Sequence, residues 1–64
     1  MKLQYTVTFN SGRAESNFGT FRDAMLFAST FAEEVFVWRR TPLYEWDKSV
    51  RSELVAHMWA GFHV

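Results

Sequence analysis

The chain has no cysteine, one proline, three glycines and no excess of either charge, and each shortage closes off a class of protein. Without cysteine, neither a disulfide nor a thiolate-bound metal can brace the fold. Stability must come from apolar packing or from a second chain, and the lack of thiols fits a cytoplasmic setting. Seven Lys and Arg balance seven Asp and Glu. Zero net charge argues against a strong sequence-independent hold on nucleic acid, which draws on many phosphate contacts. It also leaves little repulsion between copies, so a homodimer is open to it. Long apolar runs are missing too. The longest stretches free of Lys, Arg, Asp and Glu, residues 24–32 and 54–64, are too short to span a bilayer. An alternating pattern begins directly after Met1-Lys2, so no signal peptide is expected. Gly12, Gly19 and Gly61 stand apart and match no phosphate-cradling fingerprint.

Aromatic side chains, by contrast, are abundant: seven Phe, three Trp and two Tyr among 64 residues. A chain of this length forms one domain, 1–64, and such a domain buries only about 60% of the surface its unfolded chain exposes. Its core is too small to take in every ring. Some of them are expected outside, where amphipathic rings suit contact with a partner.

Leu3, Tyr5, Val7 and Phe9 alternate with Lys2, Gln4, Thr6 and Thr8, the period of a strand with one buried face. Asn10-Ser11-Gly12 supplies turn chemistry, and residues 13–18 return as a polar edge strand. Thr20 with Asp23 three residues on predicts a helix N-cap. Phe21, Ala24, Met25, Ala28, Phe31 and Ala32 then form an apolar arc, with Leu26 among the polar residues opposite. Val35-Phe36-Val37-Trp38 reads as a strand apolar on both faces, with Trp38 expected to close the core. Arg39-Arg40-Thr41-Pro42 is expected to break it, and residues 43–46 to form a short fourth strand or a linker. Val50, Leu54, His57, Met58 and Gly61 share one side of a helical wheel, which predicts a second helix over 48–60 closed by Gly61 as its C′ residue. The expected fold is α+β: a three- or four-stranded antiparallel sheet in ββαβ(β)α order, with two helices packed on it. The first strand would lie between the second and third, with a right-handed helical connection.

No constellation in this chain carries chemistry. A nucleophile needs a base within reach and a group to orient that base. His57 is the one candidate base, and no nucleophile elbow presents Ser49, Ser52 or Asp47 to it. Glu45 and Asp47 read as a surface carboxylate pair. Glu53 and His57, four apart on the expected helix, could share an ion, but two ligands do not make a site. No enzyme, no cofactor and no metal is therefore expected.

The stretch Trp38-Arg39-Arg40-Thr41-Pro42-Leu43-Tyr44-Glu45-Trp46 concentrates the residue types that dominate binding hot spots. Arg39, Arg40, Tyr44 and Trp46 are the proposed contact surface, with Leu26 and Trp59 as lesser members. The expected partner is a larger protein or protein complex. The same rings and cations could instead serve a single-stranded nucleic acid, although Glu33, Glu34, Glu45 and Asp47 surround the basic pair. A third reading assigns the spare rings to a homodimer interface.

The hairpin, then Phe18-Gly19-Thr20-Phe21-Arg22-Asp23-Ala24 opening a helix, then an aromatic strand, resembles small phage-encoded α/β proteins over residues 3–38. Inhibitors of host polymerase and anti-CRISPR proteins are among them. The resemblance is one of element order and capping, and it implies a protein that occupies a surface of a larger host machine. Many such proteins are acidic nucleic-acid mimics, a role that zero net charge does not support. No residue-level role carries over.

Overall fold

The computed structural model describes residues 3–42 and 50–64. In chain order they form β1 (Gln4–Phe9), β2 (Ser16–Phe18), α1 (Phe21–Ala28), β3 (Glu34–Pro42), β4 (Val50–Trp59) and β5 (Phe62–His63). All five strands join one antiparallel sheet in the order β2-β1-β3-β4-β5. The expected two-helix α+β fold is therefore corrected. This is a mostly-sheet domain, and α1 is the one helix among the described residues.

Residues 50–59 form a strand, where the spacing of apolar residues predicted a helix. The reason is a bulge. Val37 pairs with Ala56 but Trp38 pairs with Leu54, so β4 carries one extra residue, Val55. Two residues facing one partner shift the phase of side-chain alternation. Leu54-Val55-Ala56 thereby becomes a continuous apolar run, and the combined spacing imitates a helical stripe. Gly61 also has a different task from closing a helix. Ala60 and Gly61, at φ 52° and 86°, form a two-residue hairpin loop between β4 and β5. Positive φ at both central positions is the requirement of a type I′ turn.

The N-cap is in place: Thr20 Oγ1 accepts from the Asp23 N–H at 3.1 Å. The helix is shorter than its apolar arc because two hydroxyls close it. Ser29 Oγ donates to the Leu26 carbonyl at 2.9 Å and Thr30 Oγ1 to the Phe27 carbonyl at 2.7 Å. Phe31 thus lies past the helix, yet it still reaches the core. Nor does β3 stop at Arg39. It runs on to Pro42, whose missing N–H is tolerated at the strand's last residue. The strand or linker expected over 43–46 lies outside the described residues.

Helix α1 packs over β1, β2 and β3. Beneath it, Val7, Phe9, Val35, Val37, Ala56 and Met58 close against Ala24 and Ala28. Phe18, Phe27 and Phe31 gather around Phe9, with ring centroids 4.8 to 6.3 Å from its ring or from one another. Arg13 lies over Phe9 and Phe31 at 5.6 and 5.2 Å. Its guanidinium also meets Glu33 at 3.1 Å, and Glu33 accepts from Ser11 Oγ at 2.7 Å. The β1–β2 turn is thereby tied to the start of β3.

Candidate functional site

Strand alternation sends every second side chain to the face away from α1. On β1 these are Gln4, Thr6 and Thr8; on β3, Glu34, Phe36, Trp38 and Arg40; on β4, Val50, Ser52, Leu54, His57 and Trp59. Phe62 of β5 sits opposite Trp59 and joins them. No described element covers this face. It is more aromatic than the solvated side of an ordinary one-helix sheet, which reads as polar alternation.

Two local arrangements organise it. The Phe36 ring and the His57 imidazole, paired across β3 and β4, stack at 4.6 Å with 7° between their planes. His57 Nε2 donates to Glu34 Oε2 at 2.7 Å, so the carboxylate sets the imidazole's rotation. On the other flank, Trp38 Nε1 donates to Thr8 Oγ1 at 2.9 Å, which lays the indole across β1. Thr6 is fully buried between its pair partners Trp38 and Asn17, and its hydroxyl donates to Asn17 Oδ1 at 2.7 Å. The β1 side of the face is thus preorganised by hydrogen bonds. The β4–β5 side is left bare, with Trp59 58% and Phe62 76% exposed.

The residues singled out in the sequence are dispersed. Arg39 points to the helix side, where it pairs with Glu53. Arg40, one residue on, points to the open face, and its Nε is buried without a hydrogen-bond partner among the described residues. Neighbours along a strand cannot share a face, so the two arginines do not form one basic patch. Trp59 is on the open face. Leu26, 57% exposed, is on the outer side of α1, the opposite surface of the molecule. Tyr44 and Trp46 lie outside the described residues. Trp38 is half-buried on the open face and does not enter the core under α1. Glu53 and His57 fall on opposite faces of β4, so the spacing that suggested a shared ion has no meaning there. Among the described residues, no three His, Asp or Glu side chains converge as a metal site would require, and no helix is long and apolar enough to cross a membrane.

Sequence reasoning missed Glu34, Phe36, His57, Leu54 and Phe62 as members of one surface. The available signal was the two-sided apolar character of 35–38: a strand with large residues on both faces needs something against each. No family model, curated protein or solved structure matches the chain.

Proposed function

We propose that the protein is a non-enzymatic protein-binding module that covers part of the surface of a larger protein, in the manner of a phage inhibitor or adaptor. One observation carries the reading: a five-stranded sheet has its single described helix on one face and a ring-lined surface, Phe36, His57, Trp38, Trp59 and Phe62, on the other. Exposed Trp and Phe beside a preorganised stack combine contact area with few rotamers to immobilise. Glu34 and Arg40 add one charge of each sign to the same face, which suits a mixed protein surface. The test is site-specific photocrosslinking in the native host's lysate. Crosslinkers placed at Phe62 and at Gln4, both on the open face, should capture the same protein, while one at Leu26 should not. Equal capture from Leu26 would contradict the assignment.

Single-stranded nucleic acid is the second reading, favoured by an open sheet face that carries both the Phe36–His57 stack and Arg40. It requires an affinity that falls steeply with salt. Binding that is insensitive to salt, or undetectable at low ionic strength, removes it.

A further inference from the structure

The outer edge of β4 is covered only in part. β5 pairs only with Met58 and Trp59, and the Val64 N–H reaches the His57 carbonyl at 2.9 Å. From Val50 to Leu54 the outer edge of β4 has no strand beside it among the described residues, although its inner edge is fully paired with β3. An open edge of this length is a template for another strand unless charged side chains, Pro or a bulge turn strands away, and charges in a pattern that pairs with a copy of itself do not. Here the edge carries Val50-Arg51-Ser52-Glu53-Leu54, a run whose charges are antisymmetric about Ser52.

The geometry points to a second copy of this chain as the occupant, joined β4 to β4 in antiparallel register with the two-fold axis through Ser52. In that register Arg51 faces the partner's Glu53 and Glu53 faces the partner's Arg51. Val50 faces the partner's Leu54, and the reverse. Both apolar residues are 47% exposed in the single chain. The neighbouring registers fail. Centring on Arg51 or on Glu53 sets like charges directly opposite, which is destabilising. Shifting by a half-step opposes open-face residues to helix-face residues, which turns the helix side of one copy to the open face of the other and breaks the two-fold symmetry. Glu53 already meets Arg39 across β3 and β4, so in the dimer its carboxylate lies between two guanidinium groups. Packing of α1 over β1, β2 and β3 keeps the helix off this edge. The product is a ten-stranded sheet whose two ring-lined faces lie on the same side. The inference concerns the edge of the sheet and does not rest on what binds the face.

Sedimentation equilibrium tests it with charge variants. The wild-type chain should dimerise in the micromolar range. Arg51→Glu alone and Glu53→Arg alone should each raise the dimer dissociation constant about tenfold or more, and an equimolar mixture of the two should restore dimers as the heterodimer. Far-UV circular dichroism verifies that each variant folds. Because the chain has no cysteine, Ser52→Cys provides a second readout. Directly opposed residues on the axis lie within disulfide reach, so mild oxidation should link this variant to itself. Leu54→Cys, about 14 Å from its own copy in this register, should stay unlinked. A wild-type chain that remains monomeric at 100-fold higher concentration (about 10⁻⁴ M) would overturn the proposal. So would charge variants that dimerise as well as the wild type, or preferential linkage through Leu54→Cys.

Discussion

At Ala60 and Gly61 the chain reverses on two positive φ values, and the two residues bear that demand unequally. Glycine adopts the left-handed region freely, whereas a Cβ there costs about 1–2 kcal/mol. Ala60→Gly should therefore stabilise the protein by about 1 kcal/mol, read as a higher urea midpoint at constant slope. Gly61→Ala should do the reverse and by more, because its added Cβ would also stand 3.2 Å from the Ser29 carbonyl oxygen. Glu33 supplies a second residue-scale prediction. The Ser11 hydroxyl first, and the Arg13 guanidinium after it, hold its carboxyl below the ordinary value. A depressed folded value means stability that is present above the unfolded value, about 4.3, and lost as pH falls through the folded one. Wild type should therefore exceed Glu33→Gln in thermal midpoint at pH 7, and the difference should shrink as pH falls from the unfolded value through the lower folded one. A constant difference across that range would disprove the assignment.

Individual elements differ in how openly the sequence declares them. β1 was legible because Tyr5, Val7 and Phe9 alternate without interruption, and α1 because Thr20 and Asp23 mark its start. Its end was not, since the apolar arc runs on to Phe31 while Ser29 and Thr30 turn their hydroxyls onto the last carbonyls. β4 was misread because Val55 breaks the alternation, and no local signal separates a bulged strand from an amphipathic helix when apolar residues adjoin. The bulge makes a prediction. Deleting Val55 should restore plain alternation and preserve both faces, with only the burial of one half-buried valine lost, about 1 kcal/mol. Nuclear Overhauser contacts between the Phe36 and His57 rings should survive that deletion. Thr20→Ala should cost about 1 kcal/mol through the lost cap, a noticeable part of the stability of so short a helix. Hydrogen exchange at the Asp23 amide would report it first.

On the scale of the whole molecule the decisive fact is its thinness. The principal extents are 38, 22 and 17 Å. The smallest accommodates one sheet and a single layer of helix about 10 Å across. A core built from valines, alanines, one methionine and one phenylalanine fills the space beneath that helix, and the other large rings among the described residues are divided between its rim and the opposite face. The candidate surface was legible only in aggregate, as an excess of rings over what so small a core can hold. Its membership was not, because the cluster 38–46 is contiguous in sequence whereas the face is assembled from β1, β3, β4 and β5 by register. Arg39 and Arg40 illustrate the point: adjacent in the chain, they are separated by the sheet itself. Hydroxyl-radical footprinting of the free protein tests this two-sided account most directly. Trp59 and Phe62 should oxidise rapidly, with Phe27, Phe31, Phe36 and Trp38 intermediate and Phe9 protected. Protection of Trp59 and Phe62 equal to that of Phe9 would contradict an open ring-lined face.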